Sequence, residues 1–369
     1  MFADAYRGKS VFLTGHTGFK GSWLALWLER LGARVSGYAL PPPTAPSLFE
    51  QAGVASTLAH TIGDIREREP LEAALRAAAP DFVFHLAAQP LVLDSYAAPA
   101  ETFAINVAGS IEVMEAVRRS GIRASVVMIT TDKVYQNNEW PHAYRECDAL
   151  GGHDPYSASK AAMEIAIASW RSSFFARSRE AEHGVRLAAA RAGNVIGGGD
   201  WAANRIVPDL FRAHAAGDPP GLRNPGALRP WQHVLEPLAG YLWLGARMAA
   251  ADGASLADAW NFGPLPTDVR SVGELSDALL GVWGGKPWRD GASAGQPHEA
   301  GMLRLAIDKA VGTLGWRPVW DFARTVERTA GWYDAVMLRG GDARAACMAD
   351  LDAYCADAAA LGLAWAQEG

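Results

Sequence analysis

The sequence predicts an α/β fold, a doubly wound Rossmann-type parallel sheet with a smaller α/β lobe. Three observations predict it. An apolar run, Val11-Phe12-Leu13, leads into the glycine turn Thr14-Gly15-His16-Thr17-Gly18-Phe19-Lys20-Gly21 and an apolar helix, Ser22 to Leu31. Strand-like runs then alternate with helical patterns up to Ile129. From Asn194 onward the texture changes to glycine, proline and tryptophan, as in Gly197-Gly198-Gly199-Asp200-Trp201 and Asp218-Pro219-Pro220-Gly221.

The strand-like runs after the first are Arg34 to Leu40, Leu58 to Ile62, Phe82 to Leu86 and Ser125 to Ile129, with helical patterns at Glu67 to Ala78 and Glu101 to Arg119. This alternation implies parallel strands with crossover helices on both faces. A long helix is predicted from Tyr156 to about Glu182, then a strand at Val185 to Ala190. Residues 1–193 form the expected dinucleotide-binding domain, with return segments near 235–263, and residues 194–369 mainly the expected substrate-binding lobe. Long irregular stretches in such a lobe usually carry function.

Composition excludes several classes. Half of the 369 residues are hydrophobic, enough for a large core, and disorder is not expected. A net charge of -6 argues against a nucleic-acid-binding surface. Cys147, Cys347 and Cys355 are too scattered for a disulfide framework or a four-cysteine zinc site, so no metal and a reducing cytoplasm are expected. No apolar leader and no run of about 20 apolar residues is visible, so no membrane association is expected.

Gly15, Gly18 and Gly21, with Thr17 and Phe19 between them, sit between the first strand and the first helix. There they would give a tight turn, close backbone approach and a helix N-terminus whose free N–H groups attract a pyrophosphate. Asp64, followed by Ile65, ends the third strand, either to accept hydrogen bonds from an adenine or to cap the next helix. Leu86-Ala87-Ala88-Gln89 ends the fourth strand, where open α/β sheets place ligands; His85 reads as structural and Lys20 as solvated. A ribose-binding carboxylate is missing from the end of the second strand, which leaves NAD against NADP undecided on this test.

Tyr156 and Lys160 lie four apart on one helix face, where the ammonium can lower the phenol pKa and make it a base for a sugar hydroxyl. Thr131, Asp132 and Lys133 follow the fifth strand at the same sheet edge: a hydroxyl to bond the reacting group, an acid for a departing hydroxyl, and a base if burial keeps the amine neutral. Hydride transfer with loss of water is the chemistry that set can perform. Asn194, Arg205, Arg229 and Arg304, together with Gln89, are the expected substrate-binding residues, since arginine suits a diphosphate.

On these motifs, and on Gly152-His153-Asp154-Pro155-Tyr156, Arg191-Ala192-Gly193-Asn194, Arg229-Pro230-Trp231-Gln232-His233-Val234 and Leu314-Gly315-Trp316, the chain resembles the extended short-chain dehydrogenases/reductases, and within them the CDP-glucose 4,6-dehydratases. The resemblance spans nearly the whole chain. Lys133, where related dTDP-glucose dehydratases carry Glu, points to the CDP-sugar branch. It implies a tightly held NAD, CDP-glucose oxidised at C4 and dehydrated across C5 and C6, hydride returned to C6, and a homodimer or dimer of dimers. A 4-epimerase or oxidoreductase on another nucleotide hexose is the alternative enzyme, and a non-catalytic dinucleotide sensor the alternative class. Leu93 and Asp94 depart from the pattern, standing where relatives prefer a basic residue.

Overall fold

The structure, a computed structural model, describes residues 1–291 and 302–367. Seven strands form one parallel sheet: β1 Ser10–Thr14, β2 Arg34–Ala39, β3 Ala59–Ile62, β4 Phe82–His85, β5 Ser125–Ile129, β6 Arg186–Ala192 and β7 Ala259–Phe262. Their spatial order is β7-β6-β5-β4-β1-β2-β3, and every neighbouring pair runs parallel. The chain starts at the centre, winds one way through β2 and β3, then returns past β1 to β4. That reversal opens a crevice beyond the C-terminal ends of β1 and β4.

The larger helices are α1 Phe19–Arg30, α2 Arg68–Ala78, α3 Ser110–Ser120, α4 Pro155–Ser173, α5 Ile206–Ala216, α6 Leu235–Ala249, α7 Val272–Trp283, α8 Phe322–Tyr333 and α9 Ala343–Ala360. On one face of the sheet, α1 and α6 belong to a core that continues through Trp316, Trp320, Tyr354 and Trp365. On the other, Leu71 and Leu75 of α2, Val113 and Val117 of α3 and Met163 and Ile167 of α4 pack against β1, β4, β5 and β6. Helix α1 is buried from Gly21 to Leu28, which explains why Trp23 and Trp27 occupy a segment with little polar face. Burying a side chain of that size contributes about 3 kcal/mol.

Two predicted elements change. The helical pattern from Glu101 is interrupted at Ala104–Gly109 by a π turn, with Pro99–Phe103 before it and α3 after. The catalytic-site helix ends at Ser173, not near Glu182; Phe175 turns inward to join Val185 and Leu187 in the core, and only short turns follow at Arg177–Arg179 and Glu180–His183. Among the described residues no helix is long and apolar enough to cross a membrane.

Candidate active site

The glycine turn is shaped by close approach. Gly15 has φ +77°, and a Cβ on it would stand 2.6 Å from the Ala87 amide nitrogen; one on Gly21 would stand 2.1 Å from the Gly15 carbonyl oxygen. Strand end, turn and helix are therefore pressed together, and the first turn of α1 keeps free N–H groups at the crevice. Thr17 donates to the Leu40 carbonyl (2.8 Å) and the Gly18 N–H to Gly15 (3.1 Å), while Phe19 is half-buried, edged toward Gly197. His85 lies between Thr14 Oγ1 (2.8 Å) and Ser110 Oγ (2.9 Å), and burial lowers its pKa to about 3, as suits a structural histidine. Leu86, Ala87 and Ala88 are half-buried along the crevice.

Other expected cofactor and substrate groups are engaged locally. The Asp64 carboxylate accepts from the Arg66 backbone N–H (2.9 Å) and its guanidinium, which lowers its pKa. Ile65 is buried against Gly109. The Gln89 side chain donates to Leu91 O (3.0 Å) and Thr102 (3.1 Å), so it closes its own turn. Arg304 donates to the Pro141 carbonyl on the loop after β5. Leu93 is half-buried and Asp94 exposed.

Thr131, Asp132, Lys133, Tyr156, Lys160, Arg205 and Arg229 do converge. Asp154 caps α4 by accepting from Ser157 N–H (2.9 Å), with Pro155 in the first position, so Tyr156 projects from the first turn. Beyond β5, Thr131 Oγ1 donates to Asp132 Oδ1 (2.9 Å) and accepts from Lys133 N–H (3.3 Å), on the side of the site where the Tyr156 phenol lies. Asp132 is 3% exposed, and a Cβ on Gly193, the residue before Asn194, would stand 3.1 Å from its Oδ2. Burial raises the carboxyl above its ordinary pKa, opposed by the charges of Lys133 and Arg229 and the Thr131 bond.

Four expectations need correction. Lys160 does not turn its ammonium to the phenol: it donates to the Ile129 carbonyl (3.3 Å), and burial brings its pKa to about 8. Burial pushes the Tyr156 phenol up to about 12 in place of the expected drop, with the charge of Asp132 adding to the rise and that of Arg205 opposing it. Lys133, expected to be enclosed, is half-buried. Lys20, read as solvated, points its ammonium inward at Tyr241 OH (3.4 Å) on α6; burial and Arg205 lower it to about 7 while Asp132 opposes.

Tyr241, fully buried and within electrostatic reach of Tyr156 and Asp132, is the other site residue the sequence reading missed. The only local signal for this pair was a lysine at an apolar helix position. Where a ribose carboxylate was missing, the His16 ring lies over Gly37 of β2 with Nε2 2.6 Å from His60 Nδ1. Arg205 is paired with Asp200 (3.0 Å) and its charge reaches Tyr156. No cluster of metal-ligating side chains is present among the described residues.

A family model described as the NAD dependent epimerase/dehydratase family matches residues 11–256. The chain belongs to this family. Within the epimerase/dehydratase family it is 47% identical over 339 residues to a CDP-glucose 4,6-dehydratase of Salmonella typhimurium, covering 91% of this chain and 93% of that one. It is 30% identical over 292 residues to a dTDP-glucose 4,6-dehydratase of Streptomyces antibioticus, covering 73% and 75%. The fold matches a Streptomyces venezuelae dTDP-glucose 4,6-dehydratase solved with NAD bound (TM-score 0.75, 23% identity, 89% of this chain, 98% of that chain). A Methanothermobacter thermautotrophicus epimerase matches equally well (TM-score 0.75, 21% identity, covering 92% and 96%).

Proposed function

We propose that this protein is an NAD-dependent CDP-glucose 4,6-dehydratase, a lyase converting CDP-D-glucose to CDP-4-keto-6-deoxy-D-glucose. The observation that carries the reading is the buried cluster of Thr131, Asp132 and Tyr156, in which a carboxyl group made a weaker acid by burial is held by the Thr131 hydroxyl within electrostatic reach of a phenol. An epimerase needs no such acid. The 47% identity over most of both chains supports the CDP-sugar branch.

The crevice fits a dinucleotide: Gly15 and Gly21 leave no room for a Cβ, and the α1 N-terminus and Lys160 supply donors. NAD, when bound, takes hydride from hexose C4 and gives it back to C6. Tyr156 takes the proton of the 4-hydroxyl. The new ketone acidifies C5–H, Lys133 removes that proton, and Asp132 protonates the C6 hydroxyl so that water leaves. Arg205, Arg229 and Asn194 border the same cluster, as diphosphate binding requires.

Two finer readings accompany this. The free cysteines suit a reducing cytoplasm, which fractionation of the source cells would check. Exposed Ile165 on α4 and Phe103 on the adjoining short helix suit a homodimer. The decisive experiment incubates the purified chain with CDP-, dTDP-, UDP- and GDP-glucose. The keto-deoxy chromophore in alkali is expected from CDP-glucose first; its absence with all four, or a C4 epimer in its place, overturns the reading.

A further inference from the structure

The segment that carries the acid and the base is gripped on both sides by one buried ion pair. Glu164 of α4 and Arg191 of β6 meet through two bonds, Nε to Oε1 (2.9 Å) and Nη2 to Oε2 (3.0 Å). Just before the catalytic residues, the Thr130 hydroxyl donates to Glu164 Oε1 (2.5 Å). Just after the short turn Asp132–Val134, Arg191 Nη1 donates to the Tyr135 hydroxyl (2.7 Å), which donates in turn to Asn261 Oδ1 of β7 (2.7 Å). Thr130, Tyr135, Glu164, Arg191 and Asn261 are all buried. None of the five takes part in the proton or hydride steps.

We propose that the Glu164–Arg191 pair is a positioning clamp for water loss: by holding positions 130 and 135 it fixes where Asp132 and Lys133 stand relative to Tyr156. The inference rests on the dehydratase reading just given. Only residues 131–134 lie between the two anchors, and that turn is closed from within by the Lys133 N–H, which donates to Thr131 Oγ1 (3.3 Å). A guanidinium joined to a carboxylate through two bonds has a fixed mutual geometry. The turn between the anchors therefore cannot be re-aimed without breaking one of these contacts.

The phenol has supports of its own. Tyr156 N–H donates to Ser95 Oγ (3.1 Å), Asp154 caps the helix, and Asn106 Nδ2 donates to Ser159 Oγ (2.9 Å). Oxidation at C4 depends on Tyr156, whereas proton removal at C5 and departure of the C6 hydroxyl depend on Lys133 and Asp132. Loosening an anchor at 130 or 135 should thus slow the second half of the reaction and spare the first.

Thr130→Val and Tyr135→Phe each remove one hydroxyl from the clamp and leave the ion pair intact, whereas replacing Glu164 or Arg191 alone would strand a buried charge. The Tyr135 ring keeps its stack on Tyr144 (5.1 Å) and its place under the Arg191 guanidinium (5.0 Å) when the hydroxyl is lost. On mixing either variant with CDP-glucose, reduced nicotinamide should accumulate beyond its level in wild type. Formation of the keto-deoxy product should fall by about 10²-fold, the size of effect that a misplacement of about 1 Å produces. Thr130→Ser keeps the donor and should restore product formation. Rates are taken per site that binds NAD, so partial unfolding drops out of the comparison. Oxidation and product formation falling together, or both variants matching wild type, overturns the clamp. Failure of wild type to turn over any nucleotide hexose would instead remove the dehydratase reading, and the clamp with it.

Discussion

Asp132 owes its role to what surrounds it. It is 3% exposed, close to Gly193, and burial raises its pKa above the ordinary carboxylate value, outweighing the cations near it. Asp132→Asn keeps the shape and removes the acid. We expect hydride exchange at C4 to continue while water loss falls by about 10²–10⁴-fold, read by isotope exchange against formation of the keto-deoxy product; full turnover would place the acid elsewhere. Such residues were legible because their chemistry is local: Thr131 and Asp132 are adjacent, and Tyr156 and Lys160 share a helix face. Lys20 and Tyr241 were not, since their contact joins positions 221 residues apart and depends on how α6 crosses α1. Nor could spacing reveal that the Lys160 ammonium prefers the Ile129 carbonyl to the phenol.

Helix α4 does two jobs with opposite faces. Its inner face carries Tyr156, Lys160 and Glu164, and Glu164 pairs with Arg191 of β6 (2.9 Å) while both are 3% exposed, which pins the helix to the sheet. Its outer stripe, Ala158, Ala162, Ile165 and Ser169, is small or apolar, and Ile165 is 61% exposed. An apolar stripe on a helix otherwise fixed by its inner face suits a partner helix. Ile165→Glu should convert the proposed dimer to monomers at micromolar concentration without lowering the monomer's helix content. Light scattering reads the mass and circular dichroism the fold; an unchanged dimer mass would move the interface elsewhere. The start of α4 was legible in Asp154 and Pro155, a cap and a first-turn residue. Its end was not, because apolar periodicity continues into Phe174 and Phe175, and only the packing of Phe175 against Val185 decides that the chain must turn.

For the whole molecule, the parallel sheet could be read from alternation, since strands buried on both faces are short apolar runs between amphipathic helices. The polar part of the tie between α6 and the C-terminal segments could not, because it centres on a buried carboxyl group whose donors are distant in sequence. Glu236 accepts from Val319 N–H (3.0 Å), Trp320 N–H (2.7 Å) and the Tyr354 hydroxyl (2.7 Å), drawing the loop before α8 and helix α9 onto α6. Burial nevertheless outweighs these three bonds and raises its pKa to about 7, with Asp268 adding to the rise. A carboxyl group whose folded pKa exceeds its unfolded value of about 4.3 binds its proton more tightly in the native state. Its contribution is therefore complete below the unfolded value and is lost as pH rises toward 7. The shift corresponds to roughly 4 kcal/mol across that window. Glu236→Gln keeps an oxygen for the two backbone donors but cannot ionise, so its stability, from urea unfolding at pH 5 and pH 8, should fall less with rising pH than that of wild type. Equal slopes in the two proteins would mean that the three hydrogen bonds hold Glu236 ionised throughout, and that the pH sensitivity of the C-terminal packing must come from another carboxyl group such as Asp350, which burial raises to about 7 against the charges of Arg328 and Arg324.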